Sequence, residues 1–181
     1  QYFRQDGYDP QEIKEIMDLC LSCKGCKTEC PSGVDVAKMK AEFLQQYYNK
    51  NGVPFRANLI ANFRKQMKLV SIAPWAFNWF YGVEFFRKTA NRLVGFHPDR
   101  TMPKLADQTL LSWYKKHESV ASSNKRVYLF CDEFTNFNDA EVGKKLILLL
   151  RKLGYNPIIP DHRESGRAYT SKGMIKEAQK I

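Results

Sequence analysis

Four of the five cysteines, Cys20, Cys23, Cys26 and Cys30, fall in the single run CLSCKGCKTECP, with Pro31 after the last. Soft thiolates at such close spacing suit the irons of a [4Fe–4S] cluster, because one short loop can supply several ligands. Gly25 is expected to take positive φ and bend the backbone around an inorganic core, leaving loop amides free to point at sulfur. A structural zinc site would split its cysteines into two knuckles with a longer insert between them. A disulfide framework belongs to small secreted domains, and no signal peptide is visible.

The elements around the loop must hold it. Asp9-Pro10-Gln11-Glu12 reads as a capped helix start. Ile13, Ile16, Met17 and Cys20 follow at helical spacing, so this helix delivers Cys20 to the loop. A second helix is expected from Asp35 to Tyr48, with Val36, Met39, Phe43, Leu44 and Tyr47 on its apolar face and Asn51-Gly52 as its stop. A third is expected from Pro54 to Lys68. Pro74 then opens PWAFNWFYGVEFF, the most aromatic stretch. It is too short and too often interrupted by charge to span a membrane. It reads as a core or interdomain helix, in preference to a membrane-surface helix flanked by Arg64, Lys65, Lys68, Arg87 and Lys88. His97 lies in a Pro-rich connector and reads as a capping or surface residue. Thr109 to Lys116 resumes helix, and the polar run HESVASSNK marks a boundary.

Past that boundary the period changes. Arg126 to Cys131 reads as a strand, Asp139 to Gly154 as a capped helix carrying Val142, Leu146, Leu149, Leu150 and Leu153, and Asn156 to Pro160 as a second strand. Another helix starts at Thr170 or Ser171. This order implies parallel strands joined by a right-handed crossover. Ligands of open α/β sheets sit at the carboxyl ends of the strands, so Asp132, Glu133, Thr135, Asn136, Arg163 and Arg167 are site candidates, with ordinary loop chemistry as the competing reading. Cys131 reads as a buried core thiol.

The chain of 181 residues carries a formal charge of +10. That charge raises nucleic acid, an anionic membrane or an acidic protein as partners. No helix-turn-helix, arginine-rich arm or RNA-binding aromatic motif is visible, so nucleic acid is not expected. No Ser–His–Asp set, phosphate loop or paired carboxylates suggest catalysis within the chain. Clustered thiols suit a reducing compartment such as the cytoplasm, and an aromatic surface helix would place the protein at the inner face of the membrane. The sequence begins without Met and ends inside a helical run, so both ends read as cut from something longer.

The cysteine run, the segment GFHPDRTMPKLADQTLLSWYKK and the segment FCDEFTNFNDAEVGKKLILLLRKLGYNPIIPDHRESGRAYTSKG resemble, in that order, the C-terminal iron–sulfur region of flavin-dependent D-2-hydroxyacid dehydrogenases. These are the D-lactate or D-2-hydroxyglutarate type, related to the iron–sulfur subunits of glycolate oxidase and anaerobic glycerol-3-phosphate dehydrogenase. The resemblance implies a mixed fold: an N-terminal all-α, ferredoxin-like helical domain followed by a partial α/β (βαβα) parallel-sheet domain. The expected divisions are 1–52 for cluster binding, 53–117 for an aromatic-rich helical connector, 118–125 for a linker and 126–181 for the first half of a cysteine-rich-type α/β domain.

The same resemblance implies cofactors and partners. Cys20, Cys23, Cys26 and Cys30 would ligate a [4Fe–4S] cluster, and a second cysteine motif with its own cluster and an FAD domain would lie before Gln1. In that arrangement Cys30 ligates the second cluster; alternatively it bends back to complete a local four-cysteine site. The isolated chain is then expected to hold its cluster weakly or not at all. Partners would be an FAD-containing dehydrogenase domain or subunit and a downstream electron acceptor, with a peripheral membrane contact as a further candidate. Glu164-Ser165-Gly166 stand where that family often carries Cys-Cys-Gly before the arginine. The implied function is electron transfer from flavin through the cluster; the alternative is a structural or docking module with a zinc or empty cysteine site.

Overall fold

Asp35 shows how local chemistry sets the helix ends: its carboxylate accepts the Lys38 N–H at 3.0 Å and starts a helix that stops at Gly52, φ 77°. The structure, a computed structural model, describes residues 10–117 and 125–181. The described residues form α1 (Pro10–Asp18), α2 (Gly25–Glu29), α3 (Val36–Asn51), α4 (Phe55–Ala61), α5 (Phe63–Val70), α6 (Pro74–Gly82), α7 (Glu84–Val94), α8 (Leu110–Lys116), β1 (Arg126–Tyr128), α9 (Glu133–Phe137), α10 (Ala140–Lys152), β2 (Asn156–Ile158), α11 (Arg167–Ser171) and α12 (Ile175–Ala178). The fold is thus mostly helical with a small parallel sheet, a mixed α/β architecture. Asp9 as a cap, and positions 118–124 of the linker, lie outside the described residues.

Two compact units divide the chain. One holds residues 10–62 with Gly166–Ile181; the other holds Phe63–Ser165. In the first, α1, α4, α11 and α12 pack on or around α3. Its core gathers Leu44, Tyr48 and Ala57 in one cluster and Ala61, Tyr169 and Met174 in another. The apolar face expected of α3 is rotated: Ala37, Lys40, Ala41, Leu44 and Tyr48 are buried, whereas Met39 is half exposed. Lys40 shares this face, its ammonium donating to the Cys20 carbonyl at 2.7 Å. Gly173, φ 72°, closes the same core, since a Cβ there would lie 2.2 Å from Leu44 Cβ.

Asn62 interrupts the helix expected from Pro54 to Lys68. Its side-chain amide donates to the Asn58 carbonyl at 3.0 Å and to Asn58 Oδ1 at 2.7 Å, competing with the backbone ladder. The helix expected after β2 is α11 and α12, which belong to the first unit, so the second unit contains a βαβ motif without that helix.

In the second unit β1 and β2 pair in parallel, Arg126 opposite Asn156 and Tyr128 opposite Ile158. Both strands are shorter than their apolar runs. Leu110, Tyr114, Cys131, Ala140 and Ile147 form the main core, and Met67, Leu105 and Phe137 a second cluster. Val142, Leu146, Leu149 and Leu153 of the α10 segment are exposed. The buried line is Ala140, Gly143 and Ile147, because small residues let α10 approach α8 closely: a Cβ on Gly143 would lie 2.3 Å from Leu110 Cδ2. The aromatic stretch also departs from the core reading. It forms two helices, α6 buries none of its residues, and Trp75, Trp79 and Phe85 are exposed. No helix among the described residues is long and apolar enough to cross a membrane.

Candidate functional site

The cysteine loop leaves α1 through a tightened turn, in which the Cys20 N–H donates to the Met17 carbonyl at 3.1 Å. Lys40 holds the Cys20 carbonyl from α3, and the Ser22 N–H donates to Cys20 Sγ at 3.4 Å. The bend was expected at Gly25, but it falls on either side of Cys23: Ser22 has φ 57° and Lys24 φ 61°. Left-handed backbone at residues with a Cβ is costly and concentrates at ligand-clamping segments. Gly25 instead opens α2, and the Cys23 sulfur lies 3.6 Å from where its Cβ would stand.

Cys26 lies in α2, and Cys30 caps the end of it, its N–H donating to the Cys26 carbonyl at 2.9 Å. The backbone amides of Val34 and Ser32, with that of Gly33, hydrogen-bond the Cys30 sulfur and lower its thiol below the ordinary range. Amides aimed at sulfur favour the thiolate, the form that binds soft metals. Cys23 and Cys26 are exposed, Cys20 and Cys30 half-buried, and all four are free thiols. Lys24 and Lys27 meet Asp35 at 3.6 and 4.0 Å, which ties the loop to the start of α3. Among the described residues no three His, Cys, Asp or Glu side chains stand together as a metal-holding group. The donor set and the amides suit an iron–sulfur group.

A second candidate lies at the strand ends of the other unit, where a cavity of about 440 Å³ is lined by Cys131, Asp132, Glu133, Asn136, His162 and Arg64, among others. Of the six candidates read from the sequence, Asp132, Glu133 and Asn136 are brought together here. Asp132 caps α9 through the Thr135 N–H at 2.7 Å, and Asn136 Oδ1 accepts the Leu111 N–H at 3.0 Å. Glu133 accepts the Ser165 N–H at 2.8 Å and the Ser165 hydroxyl at 3.1 Å, pinning the second loop. These polar groups therefore hold the loops in place. Thr135 and Arg163 do not line the cavity, and Arg167 begins α11 in the other unit.

His162 was not singled out by the sequence. Its Nε2 accepts the Cys131 N–H at 3.2 Å, so the ring proton sits on Nδ1 and donates to the Arg163 carbonyl at 2.7 Å. Cys131 is buried, as expected, and burial, then Asp132 and Glu133, push its thiol up to about 11. His97 is exposed, its Nδ1 accepting the Asp99 N–H at 3.3 Å, which fits the capping role.

The chain is similar over nearly its whole length to D-2-hydroxyglutarate dehydrogenases. It is 32% identical over 178 residues to that of Escherichia coli (strain K12), covering 93% of this chain and 18% of the relative. The enzymes of Pantoea ananatis and Haemophilus influenzae are 29% and 28% identical over 97% and 96% of this chain. The chain spans 18% of the length of each of these curated relatives. No family model matches the chain. No solved structure matches it.

Proposed function

We propose that the chain is the iron–sulfur electron-transfer portion of a larger flavin-dependent D-2-hydroxyacid dehydrogenase of the D-2-hydroxyglutarate type. The observation that carries the reading is a four-cysteine loop, Cys20 to Cys30, inside a chain similar to these dehydrogenases over nearly its full length. A bound [4Fe–4S] cluster would supply one-electron redox chemistry. Cys20, Cys23, Cys26 and Cys30 are the residues that would hold it.

The chain's own residues prepare that role. The amides of Ser32, Gly33 and Val34 hold negative charge on the Cys30 sulfur. The left-handed residues Ser22 and Lys24 turn the backbone at Cys23. Lys40, Lys24 and Lys27 place positive charge around a loop that would carry several thiolates, offsetting their repulsion. Substrate oxidation belongs, in this reading, to an FAD-bearing domain, with an acceptor downstream.

The test is anaerobic loading with iron and sulfide of a longer dehydrogenase chain that contains this one. Expected are bound iron and sulfide in equal amounts and a visible thiolate-to-iron absorbance. Uptake of zinc alone, with no sulfide retained by the chain or by a longer dehydrogenase containing it, would overturn the reading.

A further inference from the structure

Helices α6 and α7 of the second unit carry an aromatic surface that the described residues leave uncovered. Trp75 is 72% exposed, Trp79 62% and Phe85 73%. Trp75 and Trp79 stand one turn apart on α6, so they share a face. The rings continue from one helix to the next. Trp79 and Phe80 meet Phe86 at centroid distances of 5.7 and 5.2 Å, and Phe86 meets Phe85 at 5.7 Å. A continuous exposed apolar surface of this kind marks an interaction site.

The charge around the rings separates the kinds of partner. Residues 63–94 carry six cations, Arg64, Lys65, Lys68, Arg87, Lys88 and Arg92, against one carboxylate, Glu84. Lys88 holds that carboxylate at 2.6 Å. Lys65, Lys68 and Arg92 are exposed and make no ion pair among the described residues. Lys65 lies one turn before the exposed Leu69 on α5, with Lys68 beside it. Arg92 lies two turns after Phe85 on the same face of α7, next to the exposed Leu93. The centre of a protein–protein interface is depleted of lysine and of charge generally. Tryptophan rings bordered by lysine and arginine suit the headgroup layer of a bilayer instead, with rings at the hydrocarbon boundary and cations on lipid phosphates. Helices of eight, nine and eleven residues are too short to span, and lying flat requires no greater length.

We infer that this surface docks the protein on an anionic membrane. Trp75, Trp79 and Phe85 enter the headgroup layer, while Lys65, Lys68 and Arg92 engage the lipid phosphates. The contact uses side chains of α5 to α7 alone and does not depend on whether a cluster is bound.

Flotation of a longer dehydrogenase chain that contains this one, with vesicles of phosphatidylglycerol mixed equally with phosphatidylcholine and with vesicles of phosphatidylcholine alone, tests this. The anionic vesicles should bind at least about tenfold more tightly than the neutral ones. That binding should weaken as salt is added. Trp75→Ser with Trp79→Ser should weaken it at least about tenfold, and Lys65→Gln with Lys68→Gln should abolish most of the preference for anionic vesicles. All four side chains are exposed, so the fold is kept, and an unchanged unfolding midpoint checks this. No binding to anionic vesicles would overturn the inference and assign the rings to a contact with the rest of the longer chain or with a second copy. Equal binding to both vesicles, or affinity unchanged in the tryptophan variant, would overturn it as well.

Discussion

Cys30 and Cys131 are placed in opposite environments. In the first unit, backbone amides converge on the Cys30 sulfur and lower its thiol; in the second, burial and two neighbouring carboxylates push Cys131 up to about 11. One sulfur is arranged to carry charge at the surface, the other to remain a neutral packing atom. The same contrast runs through the surroundings. The loop around Cys23 holds two left-handed residues with side chains, whereas the strand-end loops use Asp132, Glu133 and Asn136 to brace each other. Polar residues at the end of a parallel strand are therefore not in themselves a site: their hydrogen bonds can be spent on the fold.

The largest effect that separates the two regions is metal retention. In anaerobically loaded protein that also carries the upstream cysteine motif, Cys20→Ser, Cys23→Ser and Cys26→Ser should each lose most of the iron, while Cys131→Ala should keep it. Iron and sulfide per chain measure this, and loss from Cys131→Ala equal to that from the loop variants would erase the distinction. Next comes Gly173→Ala. It combines left-handed backbone with a collision against Leu44, so we expect a loss of about 2–4 kcal/mol in denaturant unfolding. Gly143→Ala meets the movable end of Leu110 and should cost less, about 1 kcal/mol. Asp132→Ala removes the side-chain cap of α9 and should cost about 1 kcal/mol by the same measurement.

A further expected effect is a pH dependence. An ordinary thiol ionises near 9.0, and Cys131 in the folded chain near about 11. The unfolded chain therefore loses this proton first as pH rises. The stability contributed by the protonated, buried thiol is full below about pH 9 and is lost as pH climbs toward about 11. Unfolding midpoints of the parent chain and Cys131→Ala, followed through that window, should converge as pH rises. Alkylation should show the opposite order of reactivity, with Cys30 labelled at lower pH than an ordinary thiol and Cys131 only on unfolding.

Much of this was legible in the sequence because it is local. Asp35 as a helix start, Gly52 as a stop and Thr109 at the start of α8 follow from neighbouring residues, and the parallel pairing of the two short strands follows from the order of elements. What the sequence concealed depends on distant partners. Lys40 is not an apolar position of α3, yet it is buried on the inner face, where its ammonium donates a hydrogen bond to the Cys20 carbonyl. The run of leucines in α10 does not mark its buried line; close approach to α8 selects Ala140 and Gly143. Asn62 falls inside the helix expected from Pro54 to Lys68, and its amide breaks that run. At the cysteine loop the residue types were plain, but the turns at Ser22 and Lys24 were not, since glycine at position 25 was the stronger cue.

Gly166–Ile181 packs with residues from the other end of the chain: Tyr169 donates to Asn62 Oδ1 at 2.9 Å, and Lys176 donates to Gln45 at 3.0 Å. The unit that carries the cysteine loop is therefore interrupted in sequence by the whole second unit. During synthesis, the face of α3 around Leu44 must wait for Gly173 and Met174 to emerge before it is covered. Such distant closures fold slowly relative to helical neighbours. The order of assembly that follows is inside-out along the chain, with the intervening unit able to form first and the cysteine-bearing unit completed last.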